Sequence, residues 1–241
     1  MGTYSLADVQ ATRKRQDAWW TVYMVDPIAC RLALVAANRT RLTPNAITAA
    51  SMVLGLLAAV CFAAGQLAAG AIVFYFSFLV DCVDGKIARL KGTGTPFGVW
   101  LDFIGDRVRE MCCAAGLAYG QYAATGNDGY ILLGTAIAVL DLFRYVNAPQ
   151  VARVREQVRE RGGRRLRRSR SRWERRLRRR RVRSRLFSGI EFHAAVFVVA
   201  PLLGAWALAP ATVAAAVLLL GYEARLVYRM WLFTRQVALR V

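Results

Sequence analysis

The chain has 241 residues, of which 56% are hydrophobic, and it carries a formal net charge of +19 at pH 7. Its mean hydropathy is +0.32, which is too apolar for an ordinary soluble domain of this length. The composition therefore argues against a soluble globular protein and predicts an all-α membrane protein.

The N-terminal region, residues 1–42, is predicted to precede the first membrane span. Its stretch "DAWWTVYMVDPIACRLALVAANRT" places Trp19 and Trp20 among apolar residues, with Arg31 and Arg39 positioned to face lipid phosphates. Such a mixture is typical of a helix that lies in the membrane interface. We expect a juxtamembrane amphipathic helix on the inner leaflet, and a short helix packed on the membrane bundle is the alternative.

Six apolar runs follow in the predicted membrane domain, residues 43–241. They cover residues 46–64, 68–83, 97–119, 130–146, 190–208 and 211–233. Several reach the roughly 20 residues that a helix needs to span a bilayer. Stretches such as "ITAASMVLGLLAAVCFAAG" are apolar on every side, whereas core helices of a soluble bundle would show amphipathic stripes. The prediction is a polytopic protein with six transmembrane helices.

The basic residues fall on one side of these spans. The links "GQLAAG", "YAATGNDG" and "ALAPAT" contain no Lys or Arg, whereas the N-terminal region, residues 89–91, the segment after Pro149 and the C-terminal tail contain nearly all of them. Lys and Arg are enriched in the cytoplasmic loops of membrane proteins. Both termini are therefore predicted to be cytoplasmic, in a multi-pass protein of the cell membrane.

An Arg-rich cytoplasmic insertion, residues 150–188, interrupts the membrane domain between the fourth and fifth spans. Between residues 153 and 185 it contains 18 Arg and three Glu, a local charge of +15. Arginine-rich segments can bind RNA, but this one is tethered at both ends to spanning helices and always lies near the anionic leaflet. We expect it to bind anionic lipid and expect no specific nucleic acid. A solvated charged loop is the other alternative.

The stretch "DCVDGKIARLKGTGTPFGVWLDFIGD" places four Asp in two otherwise apolar segments. Their spacing puts Asp81 and Asp84 on one face of the second span, and Asp102 and Asp106 on one face of the third. A hairpin at "KGTGTP" would bring the two faces together at the cytoplasmic end. Four carboxylates in one partly dry volume repel one another unless a cation neutralises them. Oxygen ligands favour Mg²⁺ or Mn²⁺, and Ca²⁺ is also compatible.

Three small residues, Gly85, Ala88 and Gly98, share these faces with the carboxylates. They leave room for a ligand beside the helix backbone, and Arg89 adds a planar guanidinium suited to a phosphate. Carboxylates, a metal and an arginine around one opening indicate a diphosphate substrate and a phosphoryl-type transfer. A single Asp at a helix end often only faces water, and ion transport uses acids nearer the midplane; neither alternative explains four Asp at segment ends.

The same stretch fits the pattern D-x2-D-G-x2-A-R-x8-G-x3-D-x3-D at every fixed position and resembles the signature of the CDP-alcohol phosphotransferase family. The resemblance extends to "TPNAIT" at residues 43–48 and to the six-span plan, but not to the Arg-rich insertion. It implies a transferase that moves the substituted phosphate of a CDP-linked lipid or alcohol donor onto the hydroxyl of an alcohol acceptor and releases CMP. It also implies a homodimer.

The resemblance assigns roles by position. It implies that two Mg²⁺ ions are held by Asp81, Asp84, Asp102 and Asp106. Asp106 would also take the proton of the attacking hydroxyl. The CDP site would be lined by Asp84, Gly85, Ala88, Arg89 and Gly98, with Arg89 on phosphate oxygens.

Three further arginines are candidates for binding the phosphate of an acceptor such as glycerol phosphate or inositol phosphate. Arg109, Arg144 and Arg153 are predicted near the cytoplasmic end of the site, and an intramembrane arginine is often functional. Each also has a structural alternative, in an ion pair along its own helix or, for Arg153, within the basic insertion. Glu191 and His193, which open the fifth span, are another candidate contact, with helix-end packing as the alternative for His193.

We therefore expect a membrane enzyme of phospholipid biosynthesis that uses CDP-diacylglycerol. A water-soluble CDP-alcohol donor, or an inositol phosphate acceptor, is the alternative within the family. An alternative of another class is a non-catalytic membrane tether that acts through its Arg-rich segment. The tether predicts that neutralising residues 175–181 abolishes function while Asp102→Asn and Asp106→Asn are silent.

Overall fold

The computed structural model describes residues 3–160, 172–183 and 187–238. Residues 161–171 and 184–186 of the predicted insertion lie outside the described residues. The helices in chain order are α1 (Leu6–Ala11), α2 (Asp26–Arg39), α3 (Pro44–Ala63), α4 (Leu67–Lys91), α5 (Pro96–Thr125), α6 (Gly129–Glu160), α7 (Arg172–Arg179), α8 (Gly189–Ala194), α9 (Ala200–Leu203) and α10 (Ala205–Ala238). Single π-helical turns precede α2 (Thr21–Val25) and join α8 to α9 (Ala195–Val199). The described ranges contain no β-strand beyond one isolated bridge, so the predicted all-α class is confirmed.

Among the described residues, four helices are long and apolar enough to cross a membrane: α3, α4, residues 129–158 of α6 and residues 205–235 of α10. Helix α5 has 30 residues, but its first half contains the charged residues that build the candidate site. The apolar helix Gly189–Leu203 is about 22 Å long at 1.5 Å per residue, which is shorter than the hydrocarbon core. The structure thus shows a membrane-type helical architecture, while six spans and cytoplasmic termini stay predictions.

The boundary between the last two predicted spans is wrong. The sequence placed a link at "ALAPAT", but these residues lie inside α10. The chain instead turns at Gly204, whose φ of 104° is a conformation that favours glycine. The apolar character of the residues on both sides hid this turn from the hydropathy pattern.

The hairpin between α4 and α5 is set by local signals. Gly92 ends α4 with φ 65°, which only glycine adopts at little cost. Thr95 caps α5 by accepting a hydrogen bond from the backbone N–H of Gly98 at 3.0 Å. Pro96 follows in the first turn, where its missing N–H costs nothing. These signals leave only residues 92–95 between the two Asp-bearing helices, which therefore form a hairpin.

Helix α3 packs closely against α5 through glycines. A Cβ on Gly120 would lie 3.1 Å from the carbonyl carbon of Phe62, and closer still to its oxygen. Gly116 meets Ala59 in the same way one turn earlier. Small residues allow this close approach of backbones in membrane helices. The main core contains Phe62 of α3 together with Phe74 and Phe197, whose ring centroids are 4.9 Å apart.

The N-terminal helices lie against the end of α4. Ser5 caps α1, and its backbone N–H and hydroxyl donate to Asp8, which lowers the pKa of that carboxyl. Helix α2 buries Ala29, Cys30 and Ala33 in a second core with residues of α4. Burial raises the pKa of the Cys30 thiol. The predicted juxtamembrane segment is therefore a helix packed on the bundle, with large apolar side chains such as Ile28, Leu32 and Val35 exposed on its outer side.

Candidate active site

A polar cavity of about 410 Å³ lies where the ends of α4 and α5 meet the N-terminal region and the start of α8. Its walls include all four signature aspartates, Asp81, Asp84, Asp102 and Asp106. Gly85, Arg89, Arg109 and Arg144 also line it. Ala88, Gly98 and Arg153 do not line the cavity, so the structure gathers most but not all of the predicted residues there.

Three of the aspartates are close enough to share an ion. Asp81, Asp84 and Asp102 each offer one carboxylate oxygen, and these atoms lie within 4.8 Å of one another. Asp84 is buried, with 6% of its surface exposed. Carboxylate oxygens without His or Cys suit Mg²⁺, Mn²⁺ or Ca²⁺, so the donor set fits the predicted metal.

Helix α3 supplies hydroxyl groups that orient these carboxylates. Thr48 donates a hydrogen bond through Oγ1 to Oδ2 of Asp84. The Ser51 hydroxyl donates to the carbonyl of Thr48 at 2.7 Å and lies 3.3 Å from Oδ1 of Asp81, and the Ser51 carbonyl accepts from Ser77 at 2.7 Å. Thr48 belongs to the "TPNAIT" stretch, whose contribution is thus to hold the second aspartate of the signature.

The fourth aspartate, Asp106, has a different partner. Its Oδ1 contacts Nη2 of Arg109, whose Nη1 lies 3.5 Å from Oδ1 of Asp81. The Arg109 side chain is only 2% exposed, while that of Asp106 is 23% exposed. The stem of Arg109 passes directly over Gly55 of α3, where a larger residue would clash. Arg109 therefore forms an ion pair along its own helix, which was the alternative to its binding the acceptor. It balances the charge of two aspartates.

The small residues of the signature have separate surroundings. The terminal nitrogens of Arg89 lie beside Gly85, within 3.5 Å of where a Cβ would be. Gly98 faces Asn45 of α3, whose Oδ1 would lie 2.5 Å from an added Cβ. Ala88 is half-buried outside the cavity. Gly85 thus leaves space at the cavity wall, whereas Gly98 makes room for the start of α3.

A second buried charge network adjoins the cavity, and most of it was missed by the sequence analysis. His193 is 2.8 Å through Nδ1 from Glu110 and 2.9 Å through Nε2 from Asp141. Arg107 contacts both of these acids. Arg144 lies 3.3 Å from Asp141. Intramembrane charges at helical spacing, such as Arg107 and Glu110 after Asp106, were the available signal, because they seldom occur without partners.

Of the acceptor candidates, Arg144 lies in the cavity wall with 20% of its side chain exposed. Its guanidinium packs against Gly189 at the start of α8 and lies 4.7 Å above the ring of Tyr145. Arg153 is exposed on α6 away from the cavity. Glu191 caps α8 by accepting from Ser188 and also accepts from the backbone N–H of Trp19 at 3.0 Å.

Residues that no motif indicated also reach the cavity from outside the membrane helices. Arg13, Lys14 and Asp17 come from the segment after α1, and Arg183 comes from the end of the Arg-rich insertion. The run "RKR" at residues 13–15 was the only local signal, and it resembles any solvated basic cluster.

Comparisons with known proteins agree with this geometry. The model of the family described as CDP-alcohol phosphatidyltransferase matches residues 41–219. A phosphatidylinositol phosphate synthase of Mycolicibacterium smegmatis is 39% identical over 106 residues, 44% of this chain and 47% of that protein. An archaetidylinositol phosphate synthase of Methanothermobacter thermautotrophicus is 32% identical over 98 residues, 41% and 46% of the two chains. The matches thus span about half the length of these curated relatives.

The fold is also found in a solved structure. The phosphatidylinositol phosphate synthase of Mycobacterium tuberculosis in complex with manganese and citrate has a TM-score of 0.52 and 24% sequence identity. The match covers 86% of this chain and 89% of that one. At this identity the likeness establishes the shared fold.

Proposed function

Because the chain belongs to the CDP-alcohol phosphatidyltransferase family, we propose that it transfers a substituted phosphate from CDP-diacylglycerol to the hydroxyl of a polar alcohol and releases CMP. The observation that carries the proposal is the cluster of Asp81, Asp84 and Asp102, whose oxygens lie within 4.8 Å of one another in a cavity that also contains arginines. Such a cavity suits a diphosphate and a divalent metal at once.

The metal proposed here is Mg²⁺, or Mn²⁺, held by Asp81, Asp84, Asp102 and Asp106. When bound, it would neutralise the diphosphate and stabilise CMP as it leaves. Two ions are the proposed number, following the family resemblance. The hydrogen bond from Thr48 to Asp84 supports a ligand that is oriented before the metal binds.

The proposed base is Asp106. Arg109 contacts Oδ1 of Asp106, which orients the carboxylate. The Asp106 side chain is the more exposed of the two. The acceptor oxygen forms a bond to the phosphorus that carries the lipid, the bond from that phosphorus to the CMP oxygen breaks, and the hydroxyl proton passes to Asp106. The CDP moiety is proposed to bind at Asp84, Gly85 and Arg89, which line the cavity. Ala88 of α4 and Gly98 of α5 stay part of the proposed CDP site on the family resemblance alone.

The acceptor we propose is a phosphorylated polyol such as inositol phosphate. The names of both curated relatives support this choice. Arg144 lines the cavity with a partly exposed side chain that Asp141 holds, which suits it to an acceptor phosphate. Arg109 and Arg153 are weaker proposals, since the first is engaged by two aspartates and the second lies outside the cavity.

The setting we propose is a six-span protein of the cell membrane with its active site and both termini on the cytoplasmic side. The distribution of Lys and Arg supports this orientation. The Arg-rich insertion is proposed to contact anionic lipid, and the protein is proposed to be a homodimer, as the family resemblance implies.

The test is CMP release by the purified protein in nanodiscs with Mg²⁺, CDP-diacylglycerol and a panel of acceptors: inositol phosphate, inositol, glycerol 3-phosphate and serine. We expect CMP with inositol phosphate and none with Asp102→Asn or Asp106→Asn, while the exposed control Asp128→Asn retains wild-type turnover. Normal turnover by both signature variants would refute the proposal and favour the tether. CMP release only when a soluble CDP-alcohol replaces CDP-diacylglycerol would refute CDP-diacylglycerol as the donor.

A further inference from the structure

The segment of residues 12–18, called here the N-terminal strap, forms part of the cavity lining. Arg13, Lys14 and Asp17 of the strap line the cavity together with the signature aspartates. The strap precedes the region that the family model matches, residues 41–219.

The strap is fastened to the signature helix and to the insertion by its backbone. Arg89 donates through Nε to the carbonyl of Thr12 at 2.8 Å. Arg181 donates through Nη2 to the carbonyl of Lys14 at 2.9 Å. The bridge between the strap and the insertion is completed by Asp17, whose N–H donates to the carbonyl of Arg181 at 2.8 Å and whose carbonyl accepts from the N–H of Arg183 at 2.9 Å.

Arg181 is also tied to the signature helix through a buried acid. Its Nη1 lies 3.1 Å from Oδ2 of Asp26, and Oδ1 of Asp26 lies 2.8 Å from Nζ of Lys86. Asp26 and Lys86 are each 5% exposed, so neither charge has water as an alternative partner. Arg181 adopts a φ of 61°, a conformation rare for a residue with a Cβ, and such positions persist where surrounding contacts hold them.

The strap adds positive charge opposite the carboxylates. The four aspartates lie on α4 and α5 together with Arg89 and Arg109, whereas the strap contributes Arg13, Lys14 and an Asp17 that is already paired with Arg183 at 3.5 Å. Within the part of the chain that the structure describes, the Lys14 ammonium has no ion-pair partner, and the Nε of Arg13 donates only to the carbonyl of Gln10. A ligand between the two sides has to offer anionic oxygens to the strap, and phosphate groups meet that requirement.

We infer that Lys14 and Arg13 bind the phosphate groups of the substrate, and that Arg181 is the positioning residue that holds the strap over the cavity. The inference rests on the proposed transferase function. It gives the end of the Arg-rich insertion a role in substrate binding that is separate from any contact with lipid. The phosphate belongs to the CDP-linked donor or to the acceptor, and the two sources are distinguished by their separate KM values.

The experiment compares two pairs of variants in the CMP-release assay. Lys14→Gln is matched with Arg15→Gln, an exposed neighbour outside the cavity, and Arg181→Gln is matched with Arg180→Gln, exposed on the insertion. Because Arg181 holds the carbonyl of Lys14, Lys14→Gln leaves the strap's backbone anchors in place.

We expect Lys14→Gln to raise KM for one substrate roughly tenfold, the loss of one charged hydrogen bond, with kcat within about twofold and an unchanged melting temperature. A rise for CDP-diacylglycerol identifies the donor phosphates, and a rise for inositol phosphate identifies the acceptor. Arg181→Gln is expected to raise the same KM, with partial recovery in Arg181→Lys, and both controls are expected to match wild type.

Equal kinetics for Lys14→Gln and Arg15→Gln would overturn the inference, as would a loss in Arg181→Gln that appears only in the melting temperature. If the wild-type protein releases no CMP, the proposed function fails on its own. The inference is then decided by direct binding of CDP-diacylglycerol and of inositol phosphate: weaker binding by Lys14→Gln than by Arg15→Gln supports it, and equal binding refutes it.

Discussion

The contact between α3 and α5 makes a quantitative prediction for Gly120→Ala. An added Cβ would lie 3.1 Å from the carbonyl carbon of Phe62 and nearer still to its oxygen. The carbonyl carbon and oxygen of Phe62 belong to the backbone of α3, so they cannot rotate away as a side chain would. We therefore expect the two helices to separate locally by roughly 1 Å, a gap that forfeits about a quarter to a half of each van der Waals contact across it.

The expected cost is about 1–3 kcal/mol, the usual range for overpacking a close interface. For a chain of this size that corresponds to a melting temperature lowered by roughly 2–12 °C. The assay is thermal unfolding of the detergent-purified protein. The matched control is Gly221→Ala, a helical position where an added Cβ meets nothing within 4 Å.

Gly116 sharpens this test because it meets Ala59 one turn away on the same face. A single separation of α3 from α5 would relieve the steric clash at both positions. The double variant Gly116→Ala with Gly120→Ala is therefore expected to lose less stability than the sum of the losses of the two single variants. Unchanged melting in both single variants, or strict additivity in the pair, would contradict the close approach of α3 and α5.

Three further predictions concern the charges around the cavity. Asp26→Asn leaves Lys86 buried without its acid and is expected to cost about 3 kcal/mol, seen as a lower melting temperature that the exposed control Asp128→Asn does not show. Thr48→Val removes the hydrogen bond to Asp84 and is expected to raise the Mg²⁺ concentration for half-maximal turnover about tenfold; an unchanged Mg²⁺ titration would contradict the orienting role. Arg144→Gln is expected to raise KM for inositol phosphate about tenfold but not KM for CDP-diacylglycerol, and equal changes in both would argue against acceptor binding.

The local features of the site follow from the sequence because helix geometry fixes them. The spacing of Asp81, Asp84 and Asp102 determines which side of α4 or α5 each occupies, and the turn at Gly92 and Pro96 brings those sides together. The roles of the Asp residues remain proposals, but their convergence is what the spacing predicts.

Long-range contacts could not be predicted in the same way. The bond from Arg181 to Lys14 joins residues 167 positions apart, and no periodicity in a single chain encodes such a pairing. One arginine among many in a basic insertion also has no local feature that sets it apart. The turn at Gly204 was missed for a different reason: the residues on both sides of it are apolar, so the hydropathy pattern shows no break there, and "ALAPAT" lies within α10.

The most direct test of the central claim is CMP release by protein stripped of metal with EDTA and then assayed with CDP-diacylglycerol and inositol phosphate, with and without added Mg²⁺. We expect CMP and a phosphatidyl product only when both Mg²⁺ and the acceptor are present, because the carboxylate cluster acts through a divalent ion. Equal CMP release without metal, or none from folded protein with Mg²⁺ and every acceptor tested, would contradict the account.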